Sequence, residues 1–397
     1  MWKKSTLANI GEIVGGGTPS TKNTEYWDGD IPWLTPKDLS NHTGVYISRG
    51  ERSITESGLK SSSARLIPKG SVLFSSRAPI GYVAIAENDV CTNQGFKSIV
   101  PNSETKSEYL YYWLKLNKTM IENMGSGTTF KEVSGAVMKN IKIDLPPLKT
   151  QRTIASTLSA LDAKIAVNSK LNYNLEQTAR AIYDSFFASG EYPIVPISKI
   201  IDIRDGTHDS PKPTETGYPL VTSKHLLPYG IDVLSPNRIS QVDFDKINER
   251  SKVDTHDILI SMIGTIGLIS LIIEPTVTFA IKNVGLFKTS KTPDWLYYVL
   301  CFLQNAETAN RINERLAGST QKYISLGELR QLPLPAPPME QLSKFNSLVR
   351  PIFDSIESLT EDSKKLAILR DTSLPKLMSG EISINDVPIE WRNDNEK

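Results

Sequence analysis

An octapeptide that occurs twice constrains the fold more than any other feature of this chain. Residues 127–134 read GTTFKEVS and residues 318–325 read GSTQKYIS, so Gly, Thr, Lys and Ser recur in place 191 residues apart. A proline pair follows each copy at the same offset of 191 residues. Upstream, SVLFSSRAPIG (71–81) matches DILISMIGTIG (257–267), and LANIGEIVGGGTPS (7–20) matches ISKIIDIRDGTHDS (197–210). Blocks repeated in one order indicate a tandem duplication of about half the chain.

Length and charge agree with a duplicated globular protein. The 397 residues predict two to three domains, and 39% hydrophobic with 22% charged residues is ordinary for soluble proteins. The net charge of +1 gives no support for a nucleic-acid partner, because such proteins usually carry excess basic residues. Any basic surface must therefore come from the arrangement of charges.

The two cysteines and the most apolar stretch favour a cytoplasmic protein without a membrane partner. Cys91 and Cys301 lie in unrelated contexts, so we expect core residues in a reducing compartment. The stretch ILISMIGTIGLISLII (258–273) is shorter than the roughly 20 residues of a spanning helix, and glycines interrupt it. It predicts two buried strands around a Gly turn, as does its counterpart from residue 72.

Each copy reads as a mixed α/β domain. Short segments rich in β-branched and aromatic residues, broken by Gly, Pro and Asn, predict strands. Helical stretches follow at 109–124 and 295–316.

After each proline pair, apolar residues recur at alternating spacings of four and three, which predicts a long helix that buries one narrow stripe. Asn168 and Asn172 interrupt this stripe and are expected either to fix the helix register or to be sites for partner subunits. Gly190 and Gly380 suit the helix ends, and Pro351 predicts a kink or a late start. The two helices are predicted to pair with each other, antiparallel; a homodimeric coiled coil is the alternative. The stripe comprises Ile154, Leu158, Leu161, Ile165, Leu175, Phe345, Val349, Ile352, Ile356, Leu359 and Leu366.

The sequence therefore predicts an α+β chain: two similar mixed α/β domains separated by two long helices that form an antiparallel coiled coil, with an internal pseudo-twofold repeat. Each helix of about 40 residues spans roughly 60 Å. The predicted boundaries are 1–146 for the first domain, 147–190 for the first helix, 191–336 for the second domain, 337–381 for the second helix and 382–397 for a tail.

Catalytic motifs are missing from the sequence. It contains no GxxxxGK[ST], no GxGxxG after a strand, no HExxH, no GxSxG and no NPP[YF] signature. Its four histidines are scattered without ligand spacing, so we predict no metal site and no catalysis by this chain. Duplicated domains with rigid helices instead indicate a reader or an adaptor.

The order of domain, long helix, domain, long helix resembles the specificity subunits of type I restriction-modification systems. The resemblance covers essentially the whole chain and rests on PPLKTQ and PPMEQ before the helices, SGE after them, the GGGTP opening, KGSVLFSSRAPIG and LPKLMSGEI. It implies two target-recognition domains, each reading one half of a bipartite, asymmetric site in double-stranded DNA. It also implies two modification subunits that bind S-adenosylmethionine and methylate adenine, and restriction (translocase) subunits that use ATP and Mg²⁺ to cut. Cofactors and catalytic residues would belong to those partners, and none to this chain.

Candidate DNA-binding residues lie in matching loops of the two copies. In the octapeptides, the glycine, hydroxyl and lysine residues suit a phosphate, whereas the alternative is a tight turn with a solvated lysine. Arg77, whose counterpart is Ile263, suits either guanine or an ion pair. The two amide loops, which contain Asn93-Gln94 and Lys282-Asn283, suit adenine edges or Asx-type turns. Lys37 and Lys224-His225 lie in a second pair of loops and suit DNA contact or solvation. The other candidates are Gly127, Thr128, Thr129, Lys131, Gly318, Ser319, Thr320, Lys322, Asn93, Gln94, Lys282, Asn283, Lys37, Lys224 and His225.

Two other function classes remain open at this point. A two-domain scaffold without DNA readout is favoured by the near-neutral charge. A single-chain methyltransferase or nuclease is disfavoured by the missing signatures.

Overall fold

A computed structural model of the chain describes residues 2–42, 44–77, 79–127, 131–187, 190–318 and 321–382. The chain divides into two compact units: unit 1 comprises residues up to Val167 together with those from Ser363 onward, and unit 2 is Asn168–Asp362. Each unit thus holds one copy of the repeat and part of each long helix. The domain boundaries drawn from the sequence stay a prediction.

Unit 1 combines three small sheets with short helices. A five-stranded sheet has the order β2-β9-β6-β7-β4, a three-stranded sheet has the order β5-β3-β8, and β1 pairs with β10. The strands are β1 (Lys3–Thr6), β2 (Gly11–Gly15), β3 (Trp27–Leu34), β4 (Tyr46–Ile47), β5 (Arg52–Ile54), β6 (Val72–Phe74), β7 (Val83–Ala86), β8 (Cys91–Thr92), β9 (Lys97–Pro101) and β10 (Lys142–Leu145). The helices are α1 (Leu7–Ile10), α2 (Pro36–Ser40), α3 (Glu56–Lys60), α4 (Ser107–Leu116), α5 (Lys118–Asn123), α6 (Gly135–Asn140) and the first part of α7 (Leu148–Phe187), which continues into unit 2, with a 3₁₀ turn at Thr24–Tyr26.

Unit 2 repeats this arrangement. A four-stranded sheet has the order β12-β18-β15-β16, a three-stranded sheet has the order β14-β13-β17, and β11 pairs with β19. The strands are β11 (Ile194–Pro196), β12 (Ile203–Asp205), β13 (Tyr218–Val221), β14 (Arg238–Ile239), β15 (Ile258–Ser261), β16 (Ile269–Leu271), β17 (Ala280–Ile281), β18 (Val284–Phe287) and β19 (Pro333–Pro335). The helices are α8 (Gln241–Ser251), α9 (Leu296–Gln304), α10 (Ala306–Glu314), α11 (Leu326–Arg330) and the first part of α12 (Met339–Ser379), which continues into unit 1, with 3₁₀ turns at Ile197–Lys199, Ser223–His225, Thr289–Lys291 and Pro293–Trp295.

The apolar stretches form strands around a glycine turn, as predicted. Strands β6 and β7 pair antiparallel in unit 1, and β15 and β16 do so in unit 2. The connecting loops contain Gly81 at φ +97° and Gly267 at φ +83°, a left-handed conformation that glycine adopts without steric cost. Cys91 and Cys301 are both buried, which confirms them as core residues. No helix among the described residues is long and apolar enough to cross a membrane.

The long helices α7 and α12 bury one stripe. Within unit 2, Asn168 on α7 contacts Leu359 on α12, and further along α7 the ring of Phe187 meets that of Phe345. Because the α7 numbers rise while the α12 numbers fall, the helices run antiparallel there. Six of the predicted stripe residues are buried: Ile154, Leu158, Leu161, Phe345, Val349 and Ile356. Five are partly buried: Ile165, Leu175, Ile352, Leu359 and Leu366.

Helix α12 corrects one expectation about Pro351. The helix begins at Met339 and continues through Pro351, so a late start at the proline is wrong. Pro351 and Ser347 are both exposed, and the carbonyl that lacks its helical donor therefore lies on the water-facing side. Gly380, at φ +75°, ends the helix as predicted.

Candidate nucleic-acid interface

In unit 1, residue 126, just before the octapeptide, and residue 132, within it, pair as in a hairpin. Ser126 and Glu132 exchange two backbone hydrogen bonds, with N···O distances of 3.1 and 2.9 Å. The next residue, Val133, donates its amide to the carbonyl of Ser76 at 2.9 Å. The hairpin is therefore joined to the loop that follows β6.

Unit 2 builds its octapeptide with the same bonds. Ala317 and Tyr323 exchange two backbone hydrogen bonds of 2.9 Å, and Ile324 donates to the carbonyl of Met262 at 3.0 Å. These residues lie 191 and 186 positions after their counterparts, the same offsets that align the sequences. The duplication is thus visible in individual hydrogen bonds.

The hairpin tips present glycine and lysine to solvent. Gly127 has φ +129° and Gly318 has φ +93°, which explains why glycine recurs at this place. Lys131 and Lys322, the last residues of the tips, are exposed. The other predicted tip contacts lie outside the described residues: Thr128, Thr129, Ser319 and Thr320.

Arg77 takes part in an ion pair. Its guanidinium lies 3.6 Å from the carboxylate of Glu132, and Lys97 approaches the same carboxylate at 3.2 Å. At the matching cross-strand position, unit 2 pairs Ile263 with Tyr323. The ion-pair interpretation of Arg77 therefore has a geometric basis, and its contact with guanine stays a prediction.

The amide loop of unit 1, which contains Asn93 and Gln94, contacts the opening loop of the domain at Thr18. Asn93 accepts the amide of Gly95 at 2.8 Å, the Asx-type turn considered above. The carboxamide oxygen of Gln94 accepts a hydrogen bond from the hydroxyl of Thr18 at 2.5 Å. The carbonyl of Gly95 accepts from the amide of Ser76 at 2.7 Å, which connects this loop to the Arg77 segment.

In unit 2 the amide loop meets a histidine. Asn283, at φ +54°, places its carboxamide 2.8 Å from Nδ1 of His208. The other ring nitrogen, Nε2, lies 3.0 Å from a carboxylate oxygen of the buried Asp205. Lys282 donates to the hydroxyl of Ser210 at 2.5 Å. Both candidate residues of this loop are therefore engaged by the opening loop.

Asp205 anchors this group. Arg250, on α8, forms an ion pair with the Asp205 carboxylate. An open cavity of about 370 Å³ lies between α8 and the loop 207–211 beside them. The Asp205 carboxylate, which Arg250 also contacts, lies within hydrogen-bond distance of Nε2 and so restricts rotation of the His208 ring.

Lys37 and Lys224 occupy matching exposed turns. Lys37 lies at the start of α2 and forms an ion pair with Glu51 at 2.9 Å. Lys224 lies in the 3₁₀ turn that follows β13 and is exposed. The hydroxyl of the adjacent Ser223 donates to the carbonyl of Ile263 at 3.0 Å, so this turn joins the other candidate loops.

His225 points into unit 2. It is 4% exposed, and its Nδ1 accepts the amide of Thr222 at 2.9 Å in a capping box. In unit 1, Asp38 closes the same box by accepting the amide of Thr35 at 2.7 Å. Burial and then the charge of Lys224 lower the pKa of His225. A direct DNA contact of His225 stays untested, and its observed role is to cap the turn.

In each unit the candidate loops thus contact one another and together form one edge of the unit. In unit 1 the octapeptide hairpin, the Arg77 segment, the amide loop and the opening loop form a continuous series of contacts. Unit 2 repeats this series with different side chains. The sequence did not single out four of the participating residues, which are Thr18, His208, Asp205 and Glu132. Each lies in or beside a repeated block, but its partner lies on another loop, so the pairing becomes visible only in the folded structure.

The chemistry of the edge is that of hydrogen bonding and charge. No group of three or more His, Cys, Asp or Glu suited to a metal ion occurs within the described residues. Exposed lysines, a carboxamide and a glycine-rich tip are the groups that contact phosphates and base edges in protein–DNA complexes.

A family model describing the type I restriction modification DNA specificity domain matches residues 1–177 and 211–365. The chain belongs to this family. The specificity subunit of the type I restriction enzyme MjaIX from Methanocaldococcus jannaschii is 33% identical, with 97% of this chain and 94% of that protein aligned. The MjaVIII specificity subunit of the same organism is 20% identical over the same shares. The specificity subunit of EcoR124I/EcoR124II from Escherichia coli is 29% identical over 41% of this chain and 40% of that protein.

The crystal structure of the S subunit of a type I restriction-modification system from M. genitalium shares the fold. It is 16% identical and superposes with a TM-score of 0.54, covering 95% of this chain and 96% of that one. The similarity extends over both units, which agrees with the predicted α+β architecture of two mixed domains and long helices.

Proposed function

We propose that this chain is the DNA-recognition subunit of a type I restriction-modification complex. Each unit reads one half of a bipartite, asymmetric site in double-stranded DNA. The observation that carries the proposal is the edge of candidate loops, built twice from the same backbone hydrogen bonds and lined by different side chains. One architecture with two sets of side chains suits the reading of two different half-sites.

The catalytic steps belong to partner subunits. Two modification subunits would bind S-adenosylmethionine and methylate adenine within the site, while restriction subunits would hydrolyse ATP with Mg²⁺ and cut. Membership of a family of non-catalytic subunits supports this division, as does the similarity to a specificity subunit over nearly the whole chain. Whether the complex cuts or only methylates depends on those partners.

The length of α7 and α12 sets the distance between the half-sites in this proposal. The antiparallel contacts within unit 2 and the buried stripe support a stiff helix pair. Asn168, which is fully buried in this stripe, supports a fixed register, because a polar group at such a place disfavours shifted pairings.

A map of methylated adenines in the source genome tests the proposal. Cells that carry this gene should show one bipartite motif that disappears when the gene is deleted and returns on complementation. An unchanged map would contradict the proposal. It would favour the scaffold alternative, which also predicts no salt-dependent gel shift when the modification subunit is present.

A further inference from the structure

One side-chain contact recurs in both units although both of its residues differ. Thr18 holds the carboxamide of Gln94, and His208 holds that of Asn283. The first partners lie 190 positions apart and the second partners 189, in register with the surrounding repeats. A contact retained after both residues have changed indicates that holding the amide in place is what matters.

The backbone around this contact is also the same. Gly17 donates its amide to the carbonyl of Thr92 at 2.9 Å, and Thr207 donates to that of Ile281 at 3.0 Å. The opening loop therefore crosses the amide loop in one geometry in both units. In each unit the next residue of the opening loop, Thr18 or His208, therefore lies against a carboxamide.

A held carboxamide is suited to base reading. The last torsion of Asn and Gln is broad, so a free amide samples many orientations. In both contacts the bound atom is the carboxamide oxygen, so its second lone pair and the NH2 group face a fixed direction. Asn and Gln recognise adenine by this pair of groups, which match N6–H and N7 in the major groove. Both amides lie on the edge formed by the candidate loops.

Unit 2 supports its amide through a second link. Asp205 binds one nitrogen of His208 and is itself bound by Arg250, so the imidazole cannot turn freely. In unit 1 the shorter Thr18 reaches the longer Gln94 without such a link. Unit 1 thus combines a short positioning side chain with a long amide, and unit 2 combines a long positioning side chain with a short amide.

We propose that Gln94 and Asn283 are adenine-reading side chains, one for each half-site, and that Thr18 and His208 are their positioning residues. This inference rests on the proposed function, since it assigns residues to the DNA readout. Each of the two amides would read one base pair of its half-site.

Asn283→Asp and Gln94→Glu test the assignment with little change of shape. Asp tolerates the left-handed backbone of position 283 as Asn does. Both changes replace the amide donors by acceptors, which cannot serve adenine N7 but accept from cytosine N4. Each variant adds the same negative charge, so each controls for the other's general electrostatic effect.

The variants are assembled with the modification subunits, and binding is measured by competition against a library in which every position of both half-sites is varied. We expect Asn283→Asp to lower the preference for one A·T pair by about 5- to 150-fold in its own half-site, with a shift towards C·G. The other half-site should keep its preferences. Gln94→Glu should produce the reciprocal result.

Thr18→Val and Thr18→Ser separate positioning from shape. The valine variant removes the hydroxyl and should weaken the preference assigned to Gln94, whereas the serine variant should retain it. A structural role alone would alter the stability of unit 1 without changing the preference at a single base pair.

An equal loss of affinity for every sequence would overturn the assignment, because it would place the amides on phosphates. Unchanged preferences would overturn it as well. Failure of the proposed function is distinguishable, since the wild-type complex would then show no bipartite preference in the same library.

Discussion

The lysines of the two hairpin tips give a quantitative test of phosphate contact. Lys131 and Lys322 occupy the same place in equivalent hairpins, and both are exposed. We expect Lys131→Ala and Lys322→Ala each to remove one phosphate contact. Affinity should then fall for all sequences alike, because the phosphate backbone carries no direct base information.

The size of the effect follows from counterion release. Each phosphate contact contributes about 0.9 to the slope of log K against log salt concentration. Over a fourfold increase in salt, one contact therefore changes the binding constant by about 3.5-fold and two contacts by about 12-fold. Between 50 and 200 mM salt, the ratio of the wild-type binding constant to that of a single variant should therefore fall about 3.5-fold. The ratio of the wild-type binding constant to that of the double variant should fall about 12-fold.

The assay is a salt titration of DNA binding by the complete complex with the modification subunits. Lys69→Ala serves as the control, because Lys69 is exposed at the opposite end of β6 from Ser75 and Ser76. Its slope should equal that of wild type. A single-lysine variant with an unchanged slope would refute the phosphate contact, and a loss of discrimination at one base would place that lysine in a groove instead.

The remaining predictions concern stability and spacing. Lys288 is 2% exposed and donates to the fully buried Asp257. Lys288→Val should therefore lower the free energy of unfolding by about 3–5 kcal/mol, because it leaves the carboxylate buried without its cation. Adding Asp257→Ser should restore part of this loss, as measured by hydrogen exchange of β18. His225 has a lowered pKa through burial, so its neutral form favours folding and unit 2 should lose stability as the pH falls below 6.5, the ordinary value. His225→Asp, which copies Asp38, should remove that loss in unfolding measured against pH, and a persistent loss would contradict the assignment. Deleting one heptad from each long helix should shorten the DNA spacer by about three base pairs with unchanged half-sites, as read from the methylation map.

The strands were predictable wherever one short apolar run forms one buried element. VLF at 72–74 and ILIS at 258–261 are buried throughout, and glycines punctuate both runs. The predicted helix over 109–124 is instead two helices, α4 and α5, which meet at Asn117. The side chain of Asn117 bonds to the carbonyl of Trp113 at 2.8 Å. The apolar pattern continues across the break, and periodicity alone therefore does not reveal it.

The candidate site was only partly predictable for a different reason. The sequence indicated residues that recur, such as Lys37 with Lys224 and the octapeptide lysines. It did not indicate Thr18 or His208, whose partners lie 76 and 75 residues away along the chain. Such a pair is defined only after folding brings the loops together, and its chemistry differs between the copies.

The charges at the edge of unit 1 suggest how affinity and specificity are divided. Lys37 is paired with Glu51, and Glu132 is shared by Arg77 and Lys97, so much of the local positive charge is balanced within the unit. Balanced cations release few counterions, and a chain with a net charge of +1 has little excess to attract DNA. We therefore expect the isolated chain to bind DNA weakly, with a shallow salt dependence, and the modification subunits to supply most of the phosphate contacts. Sequence preference would then come from this chain and affinity mainly from its partners, an outcome that salt titrations with and without those partners would separate.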